Sequence, residues 1–352
     1  MSDSNPLRSD LESIAAQVNW DELRGNRIFV AGGTGFFGCW LLESFLWANR
    51  ELKLGASAVV LTRNAKGFQA RKPHLAGDPA ATLVEGDVRD FDFPAGSFSH
   101  IINAATPASA ALNAADPMAM LDTIIGGARR VLDLAAASGA RKLLFTSSGA
   151  VYGDQPSDMT HIPESYPGMP DTMNPGSAYA EGKRTAELLC AIYHRTYGIE
   201  TKIARCFAFA GPGLPLDAHF AAGNFIHDRL KGGPIRVQGD GTPYRSYLYA
   251  ADLAVWLWSI LFRGEACRPY NVGSSQAVSI GGLAEMTAAL PGGPGEEGIE
   301  VRFAQQAMAG VPARRYVPDV TRAETELGLR PTVPTAEGLR RTLEWARKGC
   351  AA

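Results

Sequence analysis

The stretch "RIFVAGGTGFFGCWLLESFLWAN", Arg27 to Asn49, restricts the fold more than any other part of the chain. An apolar run of strand composition passes through a glycine turn into an apolar-rich segment at helical spacing. The alternation then repeats. "AVVLT", "ATLVEG", "HIINAA", "KLLFTS" and "TKIARCF" read as further strands, with helices expected over about 121–137 and 179–197. Such alternation predicts an α/β fold with a doubly wound parallel sheet covered on both faces. Past Ala208 the pattern loosens, because glycine and proline crowd "GPGLPLD", "KGGPI", "GDGTP" and "LPGGPGEEG". Helices remain expected at 249–262, 279–290 and 335–348. Residues 1–25 read as a helical arm, with a helix from Ser9 and Asp10 to Val18 and Leu7, Leu11, Ile14 and Val18 on one stripe. The expected division is therefore an arm over 1–25, a dinucleotide-binding domain over 26–207, and a smaller lobe over 208–352. Parts of that last stretch are expected to return to the first domain.

"FVAGGTGFFGCW" places Gly32, Gly35 and Gly38 in a GxxGxxG spacing between the first strand and the first helix. Glycines there allow a tight turn and close backbone approach to a pyrophosphate. The amides opening the helix, at Phe36 and Phe37, favour the phosphate charge. The second strand ends in Thr62, Arg63 and Asn64, where an acid would bond both adenosine ribose hydroxyls and select NAD. Arg63 suits a 2′-phosphate and leans toward NADP, or is a solvent-facing arginine; the cofactor is NAD or NADP. Asp87 and Val88, after the third strand, either frame the adenine or make a plain strand-end turn.

"SAYAEGK" sets Tyr179 and Lys183 at i and i+4, on one face of a helix. A nearby ammonium and an oxidised nicotinamide both favour the phenolate, so the expectation is a lowered tyrosine pKa. Tyr179 then takes a proton from a substrate hydroxyl, or returns one. Lys183 also holds the nicotinamide ribose, and Ser148, at a strand's end, bonds the same substrate oxygen. The bland alternative is a half-buried tyrosine and an exposed lysine on an ordinary helix.

The balance of 34 basic against 36 acidic residues leaves a net charge of -2, and no basic block points to nucleic acid or an anionic membrane. The five cysteines are widely spaced without a CxxC, which fits reduced thiols in a cytoplasm and no zinc site. No HExxH occurs, so no metal is expected. The polar N-terminus lacks a signal-peptide core, and "LAVWLWSILF", Leu253 to Phe262, is too short to cross a bilayer. A soluble, cytoplasmic protein is expected.

Taken together, "GGTGFFG", "NAA", "TSSGAVYG", "YAEGK", "GPG", "YRSYLYAADLA", "YNVG" and "RRYVPD…ELGLRPT" make the chain resemble the extended short-chain dehydrogenases, the NAD-dependent epimerase/dehydratase family that modifies nucleotide sugars. The resemblance runs from about Asn26 to Trp345. It implies a Rossmann domain with a C-terminal substrate-binding lobe and a homodimer built from the helices at 121–137 and 179–197. Ala104 and Ala105, in "NAA", would line the cofactor, and a nucleoside diphosphate-sugar would sit in the lobe. Arg245 lies where the family places an arginine near the diphosphate. "ARRYVPD" offers Arg314 and Arg315 as alternative clamps on the diphosphate, of which Arg315 is the choice. Asn224 aligns with a diphosphate contact or is a structural helix-start asparagine. Family members often read R-x-x-N before Gly-Pro; here Ala208 stands in the Asn place. Phe207, Phe209, Phe220, Phe225, Tyr244 and Tyr247 stack on base or sugar, or belong to the core.

Family dehydratases carry an Asp–Glu pair after the hydroxyl residue, and decarboxylases a Glu in this region. Here the positions are Gly149 and Ala150. The remaining set suffices for oxidation and reduction at one carbon. The favoured expectation is a sugar 4-epimerase, with Tyr179 as acid and base. The alternatives are an NADPH-dependent 4-keto sugar reductase, a dehydratase or decarboxylase borrowing Glu164 or Glu181, and a non-catalytic dinucleotide sensor.

Overall fold

A computed structural model of the chain describes residues 5–106, 109–218, 220–291 and 298–350. The chain forms two compact units. Unit 1 takes Met1–Val151, Pro170–Cys206 and Ala254–Tyr270; unit 2 takes Tyr152–Met169, Phe207–Leu253 and Asn271–Ala352.

The strands of the main sheet are β1 (Arg27–Ala31), β2 (Ser57–Thr62), β3 (Ala81–Glu85), β4 (His100–Asn103), β5 (Lys142–Ser148), β6 (Glu200–Cys206) and β7 (Pro269–Val272). Their order is β7-β6-β5-β4-β1-β2-β3. β1 pairs in parallel with β2 and β4, β2 with β3, β4 with β5, and β5 with β6. Within β7 the chain passes from unit 1 into unit 2. Ile28, Phe29, Val30 and Ala31 are all buried, the continuous apolar run expected of a strand with both faces covered. The strand order reverses between β1 and β4, and sheets of this kind open a ligand crevice at the carboxyl ends of those two strands.

The helices that matter to the site in unit 1 are α1 (Arg8–Gln17), α2 (Phe36–Glu51), α3 (Ala65–Arg71), α4 (Pro117–Ser138) and α5 (Ala178–Tyr197). α4 begins four residues ahead of the sequence expectation. Asp116 caps it, accepting from the Ala119 amide at 2.9 Å, and Pro117 needs no hydrogen-bond partner in the first turn. α4 and α5 pack together and bury Ile124, Ala128, Val131, Ala186 and Cys190 in the core that covers β5. Each large aliphatic side chain so buried stabilises the fold by about 1.5–3 kcal/mol. α1 packs on α2, and its stripe of Leu7, Leu11, Ile14 and Val18 is buried.

The helix Ala250–Arg263 carries the apolar run "LAVWLWSILF". From Ala254 onward it belongs to unit 1, where Trp256, Leu257, Trp258, Ile260 and Leu261 are buried and Trp258 Nε1 donates to Ser44 Oγ at 2.9 Å. An all-round apolar helix is one enclosed by protein. Among the described residues no helix is long and apolar enough to cross a membrane.

Unit 2 is made of short pieces. Tyr244–Arg245 lies between Val278–Ser279 and Arg315–Tyr316 in a three-stranded sheet. Two-stranded pairs join Phe209–Ala210 to Leu248–Tyr249 and Ile235–Val237 to Val301–Phe303. The helices Ala221–Leu230 and Thr321–Leu327 do not follow from the sequence pattern. The first has no side-chain cap, and the second spans two turns, too short for a periodic signal. The helix Thr335–Trp345 stops three residues before its expected end, giving way to a turn in which Gly349 takes φ 68°.

Candidate active site

The glycine turn is the first part of the site. Gly32 takes φ 78°, and a Cβ there would meet the Ala104 carbonyl oxygen at 2.5 Å. The turn after β1 therefore touches the segment after β4, across the point where the strand order reverses. A Cβ at Gly38 would meet the Gly32 oxygen at 2.3 Å, so α2 starts pressed against the turn. Gly35 is the helix N-cap and offers no side-chain cap. It is exposed, and a Cβ on it would find only the Gly32 oxygen, at 3.7 Å. Open space thus lies over the first turn of α2, which begins with Phe36 and Phe37 and whose leading amides the helical ladder leaves over. An uncapped helix start beneath open space fits the pyrophosphate of a dinucleotide.

The far end of that crevice is less committed. Thr62 Oγ1 lies 3.2 Å from Thr34 Oγ1 and is buried, so it ties β2 to the glycine turn. Asn64 caps α3, accepting from the Gly67 amide at 2.7 Å. The Glu85 carboxylate, opposite Thr62 in the sheet, accepts from the Ala65 amide at 2.9 Å. Arg63 is exposed, with no hydrogen bond or ion pair to another described residue. Asp87 is bound by Arg89 through two side-chain hydrogen bonds of 2.8 and 3.1 Å, which hold its carboxyl below the ordinary range. Val88 is a core residue; a Cβ on Gly127 would meet it at 2.7 Å. Ala104 donates its amide to Ala31, and Ala105 donates to Asn103 Oδ1 at 3.3 Å.

The structure brings Ser148, Tyr179 and Lys183 together in unit 1. Ser148 ends β5 and is buried. Its hydroxyl accepts from the Ala150 amide at 3.2 Å, and Ser148 favours the Tyr179 phenolate. Tyr179 and Lys183 lie on the first turns of α5. Lys183 is 2% exposed; its Nζ donates to Thr106 Oγ1 at 2.8 Å and to the Thr146 carbonyl at 2.7 Å. The ammonium sits 4.7 Å from the Phe145 ring centroid and 5.9 Å from that of Tyr179. Burial draws it down to about 8.

The lowering expected from the sequence counts the charge of an oxidised nicotinamide beside the phenol. Among the protein's own groups, burial raises the Tyr179 pKa, and Ser148 works against the rise without cancelling it. The physical reason is burial, which penalises the phenolate; the Lys183 ammonium is held by Thr106 and the Thr146 carbonyl. In this state Tyr179 is a protonated phenol.

Several contributors carry no sequence motif. Asn113 accepts the Tyr179 amide at 3.1 Å and donates to the Gly176 carbonyl at 2.8 Å, stapling the start of α5. Thr106 and the Thr146 carbonyl fix the lysine. Nothing local marks an asparagine 66 residues upstream of the helix it staples. The borrowed carboxylates have other partners. Glu181 lies 3.7 Å from Arg184, on a different face of α5 from Tyr179. Glu164, in unit 2, accepts from the Asn271 amide at 2.9 Å and lies 3.8 Å from Arg322.

In unit 2, parallel pairing sets Arg315 opposite Tyr244 and Tyr316 opposite Arg245. Residues paired in register share a face, and neighbours along a strand alternate. Arg245 and Arg315 therefore occupy opposite faces of the small sheet. Each guanidinium covers the tyrosine on its own face, Arg245 at 5.5 Å from the Tyr316 centroid and Arg315 at 4.4 Å from that of Tyr244. Tyr316 in turn packs against Phe207 at 4.6 Å. The two arginines do not converge. Asn224 is the fourth residue of Ala221–Leu230, whose N-cap is Phe220, so it does not cap that helix. Phe209, Phe225 and Tyr247 are core residues. Among the described residues no cluster of His, Cys, Asp and Glu could hold a metal.

Residues 28–273 match the NAD dependent epimerase/dehydratase family. The chain belongs to that family. Its cofactor is accordingly a nicotinamide dinucleotide, NAD or NADP, and the glycine turn supplies the fitting cradle. Within this epimerase/dehydratase family the chain is 32% identical over 314 residues to UDP-glucuronic acid decarboxylase 5 of Arabidopsis thaliana, covering 89% of this chain and 87% of that one. Its fold superposes on the dTDP-glucose 4,6-dehydratase of Streptomyces venezuelae, solved with NAD bound, with a TM-score of 0.76 and 27% identity over 92% and 97% of the two chains. The UDP-glucose 4-epimerase of Thermus thermophilus, solved in complex with NAD, gives a TM-score of 0.74 and 25% identity over 91% and 99%. These are enzymes of nucleotide-sugar modification with three different reaction outcomes.

Proposed function

We propose that this family member is a nucleotide-sugar 4-epimerase, with Tyr179 as acid and base at the sugar C4 hydroxyl. The observation that carries the reading is the Ser148–Tyr179–Lys183 corner, with Gly149 and Ala150 next along the chain from Ser148 and with Glu164 and Glu181 engaged elsewhere. Water elimination needs a base for a carbon-bound proton and an acid for the departing hydroxyl. Oxidation and reduction at one carbon need neither.

A dinucleotide held at the glycine turn and by Lys183 would supply hydride transfer at C4. The protein's part is proton transfer and charge stabilisation. The Tyr179 phenol, raised by burial here with Ser148 opposing, would become a base under the positive charge of an oxidised nicotinamide. The phenolate takes the C4 hydroxyl proton and later gives it back. Ser148 bonds the same oxygen as charge develops on it. Lys183 stabilises the phenolate electrostatically and holds the nicotinamide ribose. The ketosugar turns over between the two hydride transfers. Unit 2 takes the nucleoside diphosphate-sugar, with Arg245 against the diphosphate, a charge-assisted pairing suited to a guanidinium fork. The exposed Leu188, Ile192 and Tyr197 on α5 support a homodimer through α4 and α5.

A second reading is decarboxylation of a UDP-uronic acid, which the Arabidopsis relative favours. A ketone at C4 lies β to a C5 carboxylate, and such an acid loses carbon dioxide without an enzymic acid. The same three side chains therefore open both routes. The deciding experiment is incubation of the NAD-loaded protein with UDP-glucose, dTDP-glucose and UDP-glucuronic acid, with products read by mass spectrometry and proton NMR. Inversion at C4 at constant mass is expected. Loss of carbon dioxide from the uronic acid would replace the epimerase with the decarboxylase. Stoichiometric NADPH consumption with a 4-keto sugar nucleotide would replace it with a reductase.

A further inference from the structure

The corner behind the catalytic group contains a half-buried ion pair that the proposed reaction does not use. Glu187 lies one helical turn past Lys183 on α5 and shares its face. Arg205, on β6, donates to it through Nε at 3.0 Å and Nη2 at 2.7 Å. Ser147, on β5, donates its hydroxyl to Glu187 Oε1 at 2.6 Å. Ser147 and Arg205 are register partners in the sheet, so both present their side chains on one face. The ion-paired side chains are only 12% and 14% exposed. One carboxylate thus joins α5, β5 and β6, through Ser147 next along the chain from Ser148 and one helical turn from Lys183.

We propose that Glu187 is a positioning residue for this site, fixing the end of β5 against α5 and supplying the anion nearest in sequence to the Lys183 ammonium on that face. The proposal rests on the reading of Lys183 as the support of Tyr179. The groups around Lys183 single out Glu187. Burial lowers the ammonium's pKa, while Cys206, Glu187 and Cys190 raise it. Burial pushes the Cys206 thiol up to about 12 and the Cys190 thiol higher still. Both thiols are neutral through the working range of an enzyme. Tyr179, on the same face, is a neutral phenol in this state. Glu187 is therefore the one carboxyl of the set, and Arg205 pairs with it.

The test uses protein loaded with NAD and labelled with ¹³Cε-lysine, with Lys183→Met assigning the resonance. The Lys183 midpoint is expected near 8 in the native chain. In Glu187→Gln it is expected to fall by about one unit, and the alkaline limb of the kcat–pH profile by the same amount, with KM unchanged. Glu187→Asp keeps the charge and should keep the midpoint, while its shorter reach lowers kcat. Ser147→Ala should lower kcat about fivefold, the loss of one buried hydrogen bond, with the midpoint unmoved. A Glu187→Gln midpoint within about 0.3 unit of native, well inside the shift a neighbouring charge gives, overturns the electrostatic half. Native kcat in both Glu187→Asp and Ser147→Ala overturns the positioning half, and these variants carry the test should the glutamine variant not fold. Undiminished turnover in Lys183→Met would instead sink the catalytic reading, while the resonance would still titrate in the native chain.

Discussion

The Ser148–Tyr179–Lys183 corner stands on a seven-residue strand and a twenty-residue helix, whereas Arg245 and Arg315 stand on strands of two residues each. Long elements fix where a side chain goes: i and i+4 on α5 must meet, and a strand end in a parallel sheet must reach the crevice. Two-residue strands fix nothing until their pairing is known. The corner is also dry, with Lys183 and Ser148 buried, while both arginines are only half-buried and rest on tyrosine rings. Burial penalises the charged form of an ionisable group, so the lysine and the tyrosine are shifted in pKa. The half-buried guanidinium groups act through geometry.

The sharpest way to break this contrast is Tyr179→Phe, which removes one oxygen from the dry corner and leaves the ring. Turnover should fall about a thousandfold, within the range for loss of a general acid–base. Dinucleotide affinity, measured by calorimetry, should stay near native. Near-native turnover would remove the phenol from the chemistry and leave the corner a packing feature.

Dry polar groups in unit 1 should also make it sensitive to acid. His100 is fully buried at the start of β4, with Nδ1 2.9 Å from Ser99 Oγ and Nε2 3.3 Å from Glu22. Burial lowers its pKa from 6.5 to about 4, with Glu22 opposing and Lys142 and Arg141 assisting. The folded value lies below the unfolded one, so the unfolded chain binds the proton first. Stability is untouched by this group above about pH 7, falls as pH drops from 6.5 toward 4, and loses no more below that. The total is about 3 kcal/mol. His100→Gln should remove that part of the acid dependence from urea midpoints recorded between pH 7 and 4; an unchanged slope would show that His100 is not its source.

The close backbone contacts of the glycine turn offer a third comparison within unit 1. At Gly38 an added methyl group would strike backbone at 2.3 Å, whereas at Gly35 it finds open space. Gly38→Ala should cost about 2 kcal/mol, typical of overpacking, read as a lowered Tm without cofactor. Gly35→Ala should leave that Tm near native and weaken dinucleotide binding alone. Equal Tm losses would mean that the space over Gly35 is not a ligand's.

Legibility in the sequence divides along the same line. The alternation of runs sets the sheet, and GxxGxxG and Tyr-x-x-x-Lys set the turn and the helix face, because each rests on a local period. The direction of the Tyr179 shift is not legible, since spacing puts Lys183 on the right face but does not show how deeply the phenol is buried. Asn113, Ser147 and Arg205 carry no local signal, since their partners come from other elements. Arg245 and Arg315 are 70 positions apart in sequence, and only the register of their strands shows that they share a sheet and not a face.

That last point gives the smallest and most discriminating effect. Two arginines on one face would clamp a diphosphate together, and removing both would cost less than the separate losses added. On opposite faces only one can serve. Arg245 has its guanidinium held by the Tyr244 carbonyl at 2.9 Å and by the Tyr316 ring, and Tyr316 is itself backed by Phe207, so less freedom remains to be lost when a phosphate binds. Arg245→Ala should raise KM for the sugar nucleotide about tenfold, the scale of one charge-assisted hydrogen bond, with kcat little changed. Arg315→Ala should change KM less than about twofold, as befits a half-exposed cation with no ligand, and the double variant should equal Arg245→Ala. A double variant far worse than either single change would mean that both side chains reach the same ligand, and the alternation of faces would have to be given up.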